Sequence, residues 1–151
     1  MILIAHRGNI NGPQPDMENN PLYVDSAINK GYNVEVDVWG SLYTGIMLGH
    51  DKGQYKVSPE WLFSRADKLW LHAKDIHSLR SLTAHSESFN VFWHQEDFYT
   101  LTTKGFIWTY PGHVLTTKSI CVMPENSEPS YTDEQIKVCA GICTDFVEKY
   151  K

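Results

Sequence analysis

The sequence predicts an α/β fold, a reduced (β/α) TIM-type barrel with short helices and seven or eight strands. Short apolar runs recur along the chain, helix-like segments separate several of them, and polar side chains follow the runs at their carboxyl ends. Strands that alternate with helices form a mostly parallel sheet with right-handed crossovers, and closing that sheet gives a barrel. Such barrels run to about 250 residues. Because this chain has 151 residues, we expect clipped helices and one domain spanning residues 1–151.

The strand pattern is clearest where two carboxylates alternate with valines. Glu35 and Asp37 lie between Val34, Val36 and Val38, so the two carboxylates share one face of a strand and the valines share the other. Seven strands are predicted, at residues 2–6, 33–38, 69–74, 90–94, 105–110, 119–123 and 141–145. A further extended piece at 45–49 returns His50 towards the same end of the sheet.

The helices are predicted from their capping residues. The first begins after Asn20, with Pro21 in its first turn, and ends at Gly31. The second opens at Ser58 and runs to residue 63, the third spans 76–82, and the fourth spans 132–140 with Thr132 as its cap. The connections after the fourth and fifth strands are too short for long helices.

Composition excludes several classes of partner. The formal net charge is -5 and no Lys/Arg run exceeds two residues, so neither nucleic acid nor an anionic membrane surface is an expected partner. No run approaches the 18 or so apolar residues of a transmembrane helix, and no membrane insertion is expected. The 3 cysteines are an odd number and are interpreted as buried thiols, which favours a reducing, cytoplasmic location.

Glu35 and Asp37 indicate a cation site. Two neighbouring carboxylates repel each other and lose hydration unless a cation lies between them. Arg7 could supply that charge in a purely structural site. Oxygen ligands on one face are also what Mg²⁺ or Ca²⁺ requires, so a divalent metal ion is the second option.

Four short motifs occur in order in the first third of the chain: His6-Arg7-Gly8, Glu18-Asn19, Glu35-Val36-Asp37 and His50-Asp51. Together they resemble the glycerophosphodiester phosphodiesterase family, within the wider group of phosphatidylinositol-phospholipase-C-like barrels. The resemblance implies metal-dependent hydrolysis of a small glycerophosphodiester-like substrate. A lyase outcome that leaves a cyclic phosphate is the closest chemical variant.

The resemblance also implies roles for individual residues. His6 and His50 become the acid/base pair, which suits groups that titrate near neutrality. Glu35 and Asp37 become ligands of Mg²⁺ or Ca²⁺, with Mn²⁺ possible. Arg7 and Lys74 are expected to donate to the substrate phosphate. The expected supporting residues are Glu18, Asn19 and Asp51.

The third predicted strand departs from the family pattern. The family places a carboxylate two residues before the lysine, whereas this chain has His72 before Lys74. His72 is therefore interpreted either as a substitute metal ligand or as a neighbour of the ligands, with Glu18 or a water completing the shell. Imidazole favours Zn²⁺, Mn²⁺ or Ni²⁺ more than Ca²⁺.

Two other classes of function remain open. A catalytically silent phosphate-binding domain of the same fold would also keep the cationic residues. An assembly protein would use aromatic residues such as Trp61 and Trp70 as an exposed interface. Asp145 is interpreted as a structural strand-end residue, and His94 as either lining the pocket or structural. The oligomeric state is left open.

Overall fold

The computed structural model describes residues 1–151 and is dominated by one mixed sheet of ten strands. The strands are β1 Ile2–His6, β2 Asn33–Ser41, β3 Gly45–Leu48, β4 Tyr55–Val57, β5 Leu69–Ala73, β6 Asn90–Phe92, β7 Tyr99–Leu101, β8 Ile107–Thr109, β9 Ser119–Val122 and β10 Gly141–Thr144. The helices are α1 Pro21–Asn29, α2 Pro59–Phe63, α3 Ile76–Thr83 and α4 Asp133–Lys137. Single 3₁₀ turns span Pro124–Asn126 and Val147–Tyr150.

Seven of the strands form a continuous parallel array in the order β6-β5-β2-β1-β10-β9-β8. The end of β2 continues into an antiparallel meander with β3 and β4, and β7 pairs antiparallel with β8. The parallel strands coincide with the seven predicted runs, apart from small differences at their ends. The short strands β4 and β7 were not predicted.

The predicted closed TIM-type barrel is wrong. No strand ladder joins β6 to β8, so the sheet stays open, and the four helices are too short and too few to form an outer layer around it. The physical reason lies in the connections. The chain between β6 and β8 forms the antiparallel strand β7, and no α-helix forms between β8 and β9, so two of the crossovers that a barrel needs are missing.

Side chains fill the seam between β6 and β8. The rings of Phe92 and Trp108 stack with their centroids 4.3 Å apart. One backbone bond, from Thr103 N to the Val91 carbonyl oxygen at 2.8 Å, reaches β6 from the segment after β7. The hydroxyl of Thr100 also donates to the Trp93 carbonyl oxygen at 2.8 Å. Aromatic packing thus takes the place of a backbone ladder.

The sheet has a helix-covered face and an inner face. Val34, Val36 and Leu71 on the first face pack with α1 and α3 in the larger apolar cluster. The inner face carries Ile4 and Trp70 in a separate cluster with Phe92 and Trp108. Trp70 is only 4% exposed, so it is a core residue and the interpretation of it as an exposed interface residue is wrong.

No helix combines the length and the apolar character needed to cross a bilayer.

Candidate functional site

The polar residues gather where three neighbouring parallel strands end. In the register of the sheet, His6 of β1 lies opposite Glu35 of β2, and Asp37 of β2 lies opposite His72 of β5. The carboxyl ends of these parallel strands lie at the same edge of the sheet. Because side chains alternate along β2, Glu35 and Asp37 both lie on the inner face of the sheet, above the inner apolar cluster. Lys74 follows β5 at the same edge.

Glu35 and Asp37 are buried, with 2% and 0% of their surface exposed. One oxygen of each carboxylate and one ring nitrogen of His72 lie within 4.8 Å of one another. His72 Nδ1 is 3.1 Å from Asp37 Oδ1 and 3.6 Å from Glu35 Oε1. Asp37 Oδ1 is buried and accepts no well-formed hydrogen bond, so an acceptor points into the centre of the cluster.

Cationic side chains surround Asp37. Arg7 Nε lies 3.1 Å from Asp37 Oδ2, and Lys74 Nζ lies 3.5 Å from Oδ1. Burial alone would raise the pKa of Asp37, but His72, Arg7 and Lys74 hold that pKa far below its usual value. Asp37 is therefore ionised throughout the physiological pH range.

Glu18 and Asn19 lie directly behind these groups. Asn19 Nδ2 donates to Asp37 Oδ2 and Asn19 Oδ1 accepts from the Asp37 amide, both at 2.9 Å. Glu18 accepts from Arg7 Nη1 at 3.0 Å and from Asn9 Nδ2 at 2.9 Å. This arrangement fixes the positions of the Arg7 guanidinium and the Asp37 carboxylate.

His6 is oriented by a carboxylate from the last strand end. Its Nδ1 lies 2.8 Å from Asp145 Oδ1, and its Nε2 lies 3.9 Å from Glu35 Oε2. A carboxylate only accepts, so it holds the proton on Nδ1 and leaves Nε2 directed at the site. Burial would lower the pKa of His6, but Asp145 and Glu35 outweigh it and the pKa is raised.

Asp145 is a direct neighbour of the site residue His6, although the sequence was interpreted as giving it only a structural role at a strand end. It accepts from Asn9 Nδ2 at 2.8 Å as well as from His6. Burial would raise the pKa of Asp145, but the contacts with His6 and Asn9 and the nearby charge of Arg7 lower it overall. The ionised carboxylate therefore links the last strand to His6.

His72 is held on both sides of its ring. Its Nε2 lies 2.9 Å from the His94 carbonyl oxygen, and its ring stacks on Phe92 with centroids 5.0 Å apart and an interplanar angle of 12°. Burial would lower the pKa of His72, but Asp37 and Glu35 reverse that effect and raise it to about 9. With no metal ion bound, His72 is an imidazolium at neutral pH.

The antiparallel hairpin of β2 and β3 carries His50 to the same edge. Gly49 N donates to the Asp37 carbonyl oxygen at 3.1 Å, directly before His50. The His50 side chain is 46% exposed, and its Nδ1 lies 2.7 Å from Asp51 Oδ1. His50 is therefore near the site but far less constrained than His6.

Two clefts open around these residues. The first, of about 480 Å³, is lined by Glu35, Lys74, His94 and Tyr110 among others. The second, of about 530 Å³, is lined by Glu18 and Asp51 among others. The residues that line both clefts are His6, Arg7, His50 and Met123. The two histidines proposed as an acid/base pair thus border the same open space.

Asn9 is a site residue that the sequence did not indicate. It is fully buried and links Glu18 to Asp145, but it lies in a loop with no periodicity. Asp145, by contrast, could have been predicted as a site residue, because it lies near the carboxyl end of a predicted strand, as His6 and Asp37 do. His94 contributes its backbone carbonyl oxygen, which no side-chain pattern could have indicated.

Comparisons with family models, with curated proteins and with solved structures returned no match for this chain. Its function is therefore inferred from the side chains of the site and from the short motifs that supply them.

Proposed function

We propose that this protein cleaves a small glycerophosphodiester-like phosphodiester with the help of a divalent metal ion, and that His6 and His50 are its acid/base pair. One observation carries the proposal: the buried oxygens of Glu35 and Asp37 converge with His72 Nδ1 beside His6, at one edge of the parallel sheet. The motif resemblance supports the same reaction class. A cyclic phosphate is the product where the substrate carries a hydroxyl next to the phosphate.

A divalent ion fits this cluster. Neighbouring ligands at about 2.1–2.4 Å from an ion are roughly 3.0–3.4 Å apart when they subtend a right angle. His72 Nδ1 lies 3.1 Å from Asp37 Oδ1 and 3.6 Å from Glu35 Oε1, and Asp37 Oδ1 accepts no well-formed hydrogen bond. When bound, the ion would neutralise charge on the phosphate and help to ionise the attacking hydroxyl.

Arg7 and Lys74 supply the remaining attraction for the phosphate. Both border the first cleft beside Glu35, and the net charge of -5 gives the protein no general attraction for an anion. A guanidinium matches two phosphate oxygens, and an ammonium adds a compact charge. These two side chains would hold the phosphate between His6 and His50.

The histidines would move the protons. One takes a proton from the attacking hydroxyl while its oxygen bonds to phosphorus, and the other protonates the leaving oxygen as its bond to phosphorus breaks. Asp145 keeps His6 Nε2 directed at the cleft. His50, being half-exposed, can exchange its proton with water.

An activity assay tests the proposal. The protein would be offered glycerophosphodiesters and a chromogenic phosphodiester, with and without Mg²⁺, Ca²⁺ and Mn²⁺. Wild type would be compared with His6→Ala, His50→Ala and, as a matched control, the exposed His77→Ala. We expect metal-dependent turnover that falls about 10²- to 10⁴-fold in the first two variants and not in the control. Absence of metal-dependent turnover, or turnover that survives both substitutions, would remove the enzyme function.

A catalytically silent phosphate-binding domain is the second candidate. The exposure of His50 favours it, because its only charged partner, Asp51, has a side chain that is itself 91% exposed. Tight binding of a phosphodiester without turnover in the same assay would support this candidate.

We propose a cytoplasmic location. Cys121, Cys139 and Cys143 are all buried free thiols, and free thiols persist in reducing compartments.

A further inference from the structure

The histidine beside the two carboxylates has a fixed orientation. The His94 carbonyl oxygen lies 2.9 Å from His72 Nε2, and a carbonyl can only accept, so Nε2 carries a hydrogen. Stacking on Phe92 at an interplanar angle of 12° sets the plane of the ring. Nδ1 is consequently the nitrogen that faces the carboxylates, and a ring flip would lose the bond to His94.

His72 Nδ1 lies close to one carboxylate oxygen of Asp37 and one of Glu35, so three possible ligand atoms lie together. It is 3.1 Å from Asp37 Oδ1, an oxygen that is buried and has no well-formed hydrogen bond. It is 3.6 Å from Glu35 Oε1. The donor set is therefore two carboxylate oxygens and one imidazole nitrogen, all at the ends of neighbouring strands.

The chemistry of that set differs from an all-oxygen site. Mg²⁺ and Ca²⁺ are hard ions that prefer oxygen ligands, whereas imidazole suits Zn²⁺, Cu²⁺, Fe²⁺ and Ni²⁺. Ligating histidines usually donate their second ring N–H to a carbonyl or carboxylate, which sets the tautomer. The bond from His72 to His94 is that arrangement.

We infer that the site selects transition-metal ions such as Zn²⁺ over Mg²⁺ and Ca²⁺, and that His72 Nδ1 is the ligand responsible for this selectivity. The inference rests on the metal site of the proposed function and names the class of ion that it takes. Asp37 and Glu35 attract any divalent cation, and His72 discriminates among them.

Binding measurements on the metal-stripped full chain test the inference. Dissociation constants for Zn²⁺, Mn²⁺, Mg²⁺ and Ca²⁺ would be measured by calorimetry for wild type, for His72→Asp and for His77→Asp, which makes the same chemical change at an exposed position. In His72→Asp we expect the preference for Zn²⁺ over Mg²⁺ to fall by about tenfold or more, since the donor set becomes all oxygen. A smaller change, or an equal change in His77→Asp, overturns the inference.

A second measurement needs no variant. Histidine side-chain ¹⁵N spectra of the wild-type chain would be recorded as Zn²⁺ is added. We expect the Nδ1 resonance of His72 to shift to a metal-bound value while Nε2 keeps its proton. Zn²⁺ binding that leaves the His72 resonances unchanged overturns the inference.

These results separate the inference from the proposed function. Selective binding through His72 in a protein that cleaves no phosphodiester would support the inference and remove the enzyme. The opposite result is equal turnover with Mg²⁺ in wild type and in His72→Asp, with the same ion preference in both proteins. That result would support the proposed enzyme activity and overturn the inference.

Discussion

Single side chains decide the protonation chemistry of the site. The carboxylate of Asp145 contacts His6 and raises its pKa above the ordinary value. In the proposed mechanism Asp145 is a positioning residue, because it acts on the substrate only through His6. Its influence should be visible in how activity depends on pH as well as in the rate itself.

Asp145→Asn tests this role. We expect turnover to fall by about 10²-fold or more, because the amide no longer fixes the Nδ1 proton of His6. The limb of the pH–rate profile that reports His6 should move to lower pH, because Asp145 no longer raises the pKa of His6. Asp16→Asn, a change at an exposed loop position, should alter neither quantity. An unchanged profile in Asp145→Asn would refute the positioning role.

His72 gives the metal-free protein a pH-dependent stability. Its pKa rises from the ordinary 6.5 to about 9 in the folded protein, so the folded state binds the proton more tightly than the unfolded state. The resulting stabilisation is complete below pH 6.5 and is lost as the pH rises towards about 9. In chelator-treated protein we expect the free energy of unfolding to fall by on the order of 3 kcal/mol across that window.

Urea unfolding between pH 6 and pH 9.5 would measure this loss. His72→Gln should flatten the curve, because glutamine does not titrate. A wild-type curve as flat as that of His72→Gln would show that the imidazole is not charged in the folded protein.

Most individual residues of the site could be named from the sequence, because histidines and carboxylates at the ends of predicted strands can be recognised without a structure. Glu35 and Asp37 follow from alternation alone. Asn9 was not predictable, since its role depends on a loop path that brings Glu18 and Asp145 within its reach. The bond from His72 to the His94 carbonyl oxygen depends likewise on the register of β5 and β6.

At the scale of elements, the hairpin of β2 and β3 determines where His50 lies. Gly49 has a φ of 150°, and a Cβ atom there would lie 2.1 Å from the Lys52 carbonyl oxygen. The chain can therefore turn at this point only without a side chain. The glycine sets the path that delivers His50 to the end of β2.

Gly49→Ala should displace His50. We expect turnover to fall by about tenfold or more, with a stability loss on the order of 1–3 kcal/mol from the backbone clash. Gly45→Ala is the matched control, because Gly45 also has a positive φ, of 129°, but an added Cβ meets nothing within 4 Å. Equal activity in the two variants would show that the hairpin does not position a functional His50.

Element prediction succeeded where side-chain pattern and caps were strong. The parallel strands carry apolar runs, and α2 and α4 begin at side-chain caps from Ser58 and Thr132. The strands β4 and β7 have only three residues each. They are strands because β3 and β8 lie beside them, which periodicity cannot reveal.

At the scale of the whole molecule, the open seam between β6 and β8 is the feature the sequence did not predict. Sheet closure depends on whether two edges meet in three dimensions, and alternating strands and helices say only that the strands are parallel. Here Phe92 and Trp108 close the inner face by packing. The inner apolar cluster, which contains both of these rings, therefore depends on aromatic contacts across the seam.

Trp108→Ala tests the importance of the seam. Trp108 is 4% exposed, and removing such a ring is expected to cost about 3–5 kcal/mol of the free energy of unfolding. Tyr43→Ala, at a residue that is 79% exposed, should change stability by no more than about 0.5 kcal/mol. Similar unfolding curves for the two variants would show that the seam does not hold the sheet together.

The most direct measurement is turnover of a glycerophosphodiester by metal-stripped protein as one divalent ion is restored, with metal binding recorded in the same samples. For wild type we expect turnover to rise in step with occupancy of the site. For His6→Ala we expect the ion to bind while turnover stays about 10²- to 10⁴-fold below that of wild type. Turnover without any ion, or undiminished turnover in metal-loaded His6→Ala, would contradict a metal-assisted reaction through His6.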